Sequence, residues 1–344
     1  MQSDLQAATR DVPAHVQVVQ MVTVGWVSKF LHAAATLKLA DQLANAPKSA
    51  AELADPIHVH APSLHRLMRT LAAVGILAEQ PGQRFALTAL GEALKTDAPG
   101  AARATVLTLS GHEFESALDR VLYSVETGKT SFEKAYGMPL FDYLAQNPEF
   151  ASLFNETMIG FHGQEPPAVA AAYDFSNFKT IVDVGGGTGN MLAAILNRYP
   201  APLGVLFELP HVTSDALVFL KAKGVSERVT VETGNFFEGV PQGGDAYLLS
   251  HIIHDWDEDR CLAILGNVRK AMNATGRLLI VEMVLPEGDM PHPGKLLDIA
   301  MLAIAGGQER TEAEYKKLLS KAGFRLTRVV PTNSAASLVE AVQA

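Results

Sequence analysis

Val182-Asp183-Val184-Gly185-Gly186-Gly187-Thr188-Gly189-Asn190 is the stretch that decides the fold. Thr180 to Val184 is a short apolar run suited to a buried strand, and the glycines form a tight loop. Asn190-Met191-Leu192-Ala193-Ala194-Ile195-Leu196 then reads as a helix. Closely spaced glycines let backbone amides approach a ligand that side chains would block. A strand, glycine loop and helix in this order hold a nucleotide-like cofactor. The dinucleotide fingerprint G-x-G-x-x-G is looser than the G-G-G-T-G found here, and no G-x-x-x-x-G-K-[ST] loop occurs in the chain. The loop therefore suits a nucleoside cofactor better than a triphosphate.

Working outward, strands and helices alternate after Asp174. Strands are expected at Thr180–Val184, Gly204–Glu208, Arg228–Val231, Ala246–Ile253, Arg277–Val284, Arg325–Val330 and Ser337–Val342. Such alternation builds an α/β fold, a doubly wound and mostly parallel sheet covered on both faces. The last two strands are joined only by a short loop at Pro331-Thr332-Asn333, which permits an antiparallel pair and no parallel crossover.

The first part of the chain is helical. Val16 to Ala44 carries apolar residues at helical spacing. A helix Ala50–Ala54 follows, then Ser63 as N-cap of a helix Leu64–Val74 that Gly75 ends. Ile76-Leu77-Ala78 and Arg84-Phe85-Ala86-Leu87 flank the turn Gln80-Pro81-Gly82-Gln83. Helix, helix and hairpin outline a winged helix. DNA binding is disfavoured, because residues 1–105 hold nine Lys/Arg against eight Asp/Glu, a net of +1. Three regions are expected: a winged-helix-like dimerisation domain over 1–105, a helical linker contributing to an acceptor pocket over 106–170, and a catalytic domain over 171–344.

A chain of 344 residues has room for two cored domains. Its net charge of −9 argues against a nucleic-acid partner, since phosphate contacts need clustered Lys and Arg. The single cysteine, Cys261, excludes an intramolecular disulfide and suits a reducing compartment. Met1-Gln2-Ser3-Asp4-Leu5 opens no signal peptide, and no apolar run approaches the ~20 residues of a membrane helix. A cytoplasmic location with no membrane partner is expected.

In a doubly wound sheet the ligand lies at the carboxyl ends of the central strands. Glu208 ends the second strand 23 residues beyond Gly185, where a carboxylate accepts from ribose hydroxyls. The third strand ends in Gly234-Asn235-Phe236-Phe237, offering an amide to an adenine edge and an aromatic face to the base.

Asp183 to Gly189, Phe207-Glu208-Leu209-Pro210-His211-Val212, His254-Asp255-Trp256 and Gly306-Gly307-Gln308-Glu309-Arg310-Thr311 together resemble the plant-type small-molecule O-methyltransferases, which include bacterial natural-product enzymes. The resemblance spans nearly the whole chain, because the N-terminal module is similar to that family's dimerisation domain. It implies a class I methyltransferase fold with a seven-stranded sheet whose last strand is antiparallel. It also implies a homodimer, S-adenosyl-L-methionine as cofactor with S-adenosyl-L-homocysteine as product, no metal, and a small aromatic acceptor. The cofactor residues it implies are Asp183, Gly185, Gly187, Glu208, Gly234, Asn235, Phe236 and Ser250. Three of these depart from the family pattern. Glu208 stands where Asp is common, Asn235 replaces an Asp, and Ser250 replaces a Lys frequent in plant members.

Methyl transfer to a hydroxyl needs in-line alignment and removal of a proton. The resemblance makes His254 the general base, flanked by Glu282 and Glu309, one of which is expected to accept from the second ring nitrogen. It also places Asn155 and Met158, in Phe154-Asn155-Glu156-Thr157-Met158, and Asp298 and Met301 against the acceptor. Metal binding by His251, His254, Asp255 and Asp257 is a rival reading. Period-two alternation at the end of an Ala246–Ile253 strand would point His251 and His254 apart, which disfavours it. His112, His162 and His292 receive no role.

Overall fold

The structure is a computed structural model that describes residues 12–210 and 212–344. The N-terminal pentapeptide and His211 of the Phe207–Val212 motif lie outside the described residues. The chain forms two compact units: one comprises the residues up to Glu115 with Leu144–Phe161, the other Ser116–Tyr143 with His162–Ala344. The middle segment 106–170 is thus divided between them.

In the first unit, β1 (Lys48–Ser49), β2 (Leu77–Gln80) and β3 (Arg84–Leu87) form an antiparallel sheet in the order β1-β3-β2. Helices Ala50–Ala54 and Ala61–Ala73 pack on it through Leu53, Leu64, Met68 and Leu71, which meet Leu77 and Phe85 in one core. Ser49 caps the first helix in a full capping box with Glu52. The second begins at Ala61, with His60 at the N-cap position, and not after Ser63. Pro62 accounts for the earlier start, since its fixed φ suits the first helical turn and it has no amide to satisfy there. Helices Ala102–Leu109 and Pro148–Phe161 pack together, their buried Thr108 and Thr157 hydroxyls 2.7 Å apart. The helix Ala14–Val24 buries none of its residues, and Met21 and Trp26 remain 73% and 58% exposed.

The second unit holds seven strands: β4 (Thr180–Val184), β5 (Leu203–Glu208), β6 (Val229–Thr233), β7 (Ala246–Ser250), β8 (Arg277–Glu282), β9 (Phe324–Pro331) and β10 (Ser337–Gln343). Their order is β6-β5-β4-β7-β8-β10-β9, parallel from β6 to β8, with β10 antiparallel to both β8 and β9. Side chains alternate strictly between two cores. Ile181, Leu206, Leu248 and Leu279 face one, while Val182, Phe207, Leu249 and Ile280 face the other. Burial on both faces explains why these strands read as continuous apolar runs. The chain order reverses between β4 and β7, so the crevice for a ligand opens where Val184 and Ser250 end their strands.

Candidate active site

The glycine loop begins at Gly185, whose φ of +68° suits glycine and whose added Cβ would stand 2.6 Å from Ile252. The Gly187 amide donates to Glu208 Oε2 at 2.9 Å, and the Leu209 amide donates to Glu208 Oε1 at 2.7 Å. The β4 loop and the β5 end are therefore tied by one carboxylate at the crevice. Gly234 packs on the Phe207 ring, where a Cβ would approach to 2.6 Å. Asn235 Oδ1 accepts from the Phe237 amide at 3.0 Å, so the amide side chain shapes the turn after β6. Phe236 and Phe237 lie edge to face, and both approach the Trp256 ring. Asp183 is buried beneath the loop. Desolvation, with Glu208's charge adding, pushes its carboxyl up to about 7, against the Leu192 amide. Ser250 is the last residue of β7, opposite Val281.

Strand β7 stops at Ser250, three residues short of the expected Ile253. His251 takes a left-handed backbone, φ +54°, and Ile253–Asp255 forms a single 3₁₀ turn. Side-chain alternation is lost with the strand, and the His251 and His254 rings come within 5.2 Å of each other. The expectation that these histidines point apart is therefore overturned.

His254 is 6% exposed, and two glutamates hold it. Its Nδ1 lies 2.6 Å from Glu309 Oε1, and its backbone amide donates to Glu282 Oε1 at 3.0 Å. The other Glu282 oxygen accepts from the Tyr315 hydroxyl. Glu309 thus addresses the ring, and Glu282 addresses the backbone that carries it. Asp298 Oδ1 accepts from the Glu309 amide at 2.9 Å, which fixes the loop after Gly307. Desolvation pushes the His254 imidazole down from its ordinary value. Burial, and next Asp298's charge, push Glu309 up to about 8. Both shifts disfavour isolated charge in the dyad. Asp255, 3.7 Å from His254 Nε2, is driven well above the carboxylate range by desolvation and by Glu282 and Glu309.

A second assembly escaped the sequence reading. Glu165 Oε2 lies 2.5 Å from His251 Nε2 and 3.1 Å from His162 Nδ1, with the two rings 3.7 Å apart. The i,i+3 pair His162 and Glu165 at a helix start was its one sequence signal. Among the described residues this trio has the only metal-ligand spacing, and the group His251, His254, Asp255 and Asp257 does not. Both imidazoles address one carboxylate oxygen, so a cation at the ~2.0–2.2 Å of zinc sites would have to part them. Asp257 instead caps the helix Glu258–Ala271 through the Arg260 amide.

Asn155 and Met158 sit on the helix Pro148–Phe161 of the first unit. Met301 lies on the helix Pro293–Ile304 of the second, where its carbonyl accepts from the Ala305 and Gly306 amides.

Residues 119–325 match the O-methyltransferase domain and residues 19–97 the O-methyltransferase dimerisation domain. The chain belongs to this O-methyltransferase family, whose members use S-adenosylmethionine. It is 45% identical to a phenazine O-methyltransferase of Lysobacter antibioticus, over 96% of each chain. The solved structure of LaPhzM superposes with a TM-score of 0.92 at 45% identity, covering 97% of this chain and 100% of that one. The O-methyltransferase NcsB1 of neocarzinostatin biosynthesis, solved with S-adenosylmethionine and 2-hydroxy-5-methyl naphthoic acid, gives 0.80 at 31% identity over 92% and 96%. The crevice fits the cofactor: the loop leaves no room for a Cβ at Gly185, and a carboxylate suited to ribose hydroxyls stands beside the Gly187 amide.

Proposed function

We propose that this O-methyltransferase acts on a hydroxyl of a small aromatic metabolite, with His254 as general base. The observation that carries the reading is the 2.6 Å pairing of His254 Nδ1 with Glu309. With Glu309 ionised, Nδ1–H donates to it, and the Nε2 lone pair is left for the acceptor's proton. S-adenosylmethionine supplies the methyl on a sulfonium sulfur and leaves as S-adenosylhomocysteine. The acceptor oxygen forms the bond to carbon, its proton passes to His254 Nε2, and Glu309 stabilises the resulting imidazolium. Gly185, Gly187, Glu208, Gly234, Asn235, Phe236 and Ser250 border the cofactor crevice, with Asp183 supporting the loop from below.

A panel of phenols, flavonoids, quinones and phenazines, with products identified by mass spectrometry, tests the acceptor class. Methyl found only on nitrogen or carbon would overturn the hydroxyl reading. The protein acts as a homodimer through its N-terminal unit, where Val18, Met21 and Val22 of the helix Ala14–Val24 and Trp26 at the start of the next helix leave an exposed apolar surface. Monomers in sedimentation at micromolar concentration would contradict this. A single buried cysteine and a net charge of −9 support a cytoplasmic location without a nucleic-acid partner. Among the described residues no helix is long and apolar enough to cross a membrane.

A further inference from the structure

Arg310 is 4% exposed, and a buried guanidinium ordinarily sits against a carboxylate. Here its hydrogen bonds go elsewhere. Nη1 donates to the Ile253 carbonyl at 3.1 Å and the Gln308 carbonyl at 3.0 Å, and Nη2 donates to the Trp256 carbonyl at 3.3 Å. Ile253 and Trp256 bracket the single turn that carries His254. We propose that Arg310 is a positioning residue for methyl transfer, its buried guanidinium holding the His254 turn against the loop that carries Glu309.

Within the turn the Ile253 carbonyl receives only the Trp256 amide, at a long 3.5 Å, and the Trp256 carbonyl lies beyond the turn's reach. The element is one 3₁₀ turn long, and the chain turns extended at Trp256. A planar fork of five N–H donors spans both oxygens at once, which a single ammonium does not. The rest of the loop docks on the same backbone. The Gln308 amide donates to the His254 carbonyl at 2.8 Å. A Cβ on Gly307 would stand 1.7 Å from that oxygen, so only glycine permits the approach. Leu285 N donates to the Arg310 carbonyl at 2.9 Å, anchoring the loop beyond β8. Cys261 Sγ reaches the Ile253 and Trp256 carbonyls as well, each at 3.3 Å, and burial pushes this thiol up to about 12, so it remains a donor. Within five residues, Gly306 to Arg310, the chain holds both the imidazole, through Glu309, and the backbone on either side of it, through Arg310.

The guanidinium also brings a positive charge to a group of acids. Glu282, Glu309 and Asp255 face His254, as do His251 and, through it, Glu165 and His162. Arg310's charge opposes the upward shifts of Glu282 and Glu309 and adds to the downward shift of His254. Its removal makes Glu309 harder to ionise and His254 easier to protonate. Both changes move the acid limb of activity to higher pH.

The inference rests on His254 as the base, and the tests separate the two. Arg310→Met, Arg310→Lys and Arg310→Ala are compared with the wild type, using the fastest acceptor of the panel. Calorimetry with S-adenosylhomocysteine checks the cofactor site. Arg310→Met is expected to bind it within about threefold of wild type, lose about 10–100-fold in kcat with little change in acceptor KM, and shift its acid limb upward. Arg310→Lys restores the limb and not kcat, because the charge returns without the fork. Guanidinium added to Arg310→Ala recovers part of kcat. A variant that binds S-adenosylhomocysteine with kcat within twofold of wild type overturns the proposal, and so does a folded Arg310→Ala that guanidinium does not rescue. If Arg310→Met fails to fold, Arg310→Lys alone decides by the same twofold criterion. Full turnover in His254→Ala would instead sink the base assignment, whatever the Arg310 variants do.

Discussion

Two histidine–glutamate assemblies stand side by side in the catalytic unit, and their carboxylates shift in opposite directions. Glu165 is held down to about 2, whereas Glu309 is pushed up to about 8. Burial is the largest influence on both and raises both, so burial alone does not separate them. The number of partners does. Glu165 Oε2 receives two imidazoles, which outweigh its desolvation. Glu309 meets one imidazole, leaves Oε2 buried without a partner, and lies near the charge of Asp298. A doubly bonded carboxylate is a permanent anion that fastens a structure. A singly bonded one in a dry site stays close to titration, which a base's partner requires.

The sharpest way to break this contrast is to remove each histidine in turn. His254→Ala is expected to lower turnover by ~10²–10⁴ while S-adenosylhomocysteine still binds, the usual range for a positioned base. Retention of near-wild-type turnover would place the chemistry elsewhere. Glu309→Gln comes next, with a loss of about 10–100-fold expected, because an amide can donate to Nδ1 and favour the tautomer that blocks Nε2. The same variant should lose the acid limb of kcat/KM, which in the wild type rises with pH as the dyad ionises towards about 8.

Stability should show the contrast in mirror image. Glu165 ionises at a lower pH folded than unfolded, so its contribution is complete above about 4.5 and is lost as pH falls towards 2. That difference is worth about 3 kcal/mol at most. His251, pushed by desolvation to about 3 from 6.5, adds to acid lability between those values. Glu309 works the other way: its raised value favours the fold below about 4.5, and that contribution fades as pH rises through about 8. Melting temperatures across pH should therefore flatten on the acid side in Glu165→Gln and on the alkaline side in Glu309→Gln. An unchanged acid limb in Glu165→Gln would mean the imidazole pair does not hold that carboxylate in solution. The smallest effect is expected from His251→Asn, within about threefold in kcat, if this assembly fastens structure and moves no proton.

Much of the fold was legible in the sequence because burial on both faces leaves a local mark. The bounds of β4 can be read from its apolar run, and those of β5 and β10 to within a residue. The end of β7 could not. Nothing in Leu249-Ser250-His251-Ile252-Ile253 marks a left-handed histidine, and the apolar pair Ile252-Ile253 prolongs the strand pattern past its true end. The helix start at Ala61 is masked in the sequence because Ser63 is the better capping residue by type, while Pro62 decides the turn.

By itself the sequence determined the strands, the glycine loop, the carboxylate at the end of the second strand, and His254 with its two candidate glutamates. The strands, loop and carboxylate are read within windows of a few residues, where periodicity and motif spacing act, and the histidine with its glutamates through the resemblance to a known family. Tertiary structure alone decided which glutamate takes the ring and which the backbone, that Arg310 spans the His254 turn, and that Glu165 binds two histidines. Those partners are 55 positions apart for His254 and Glu309 and 86 for His251 and Glu165. Hydrogen bonds at such separations are set by where the strand ends and loops converge, and no local pattern encodes that meeting.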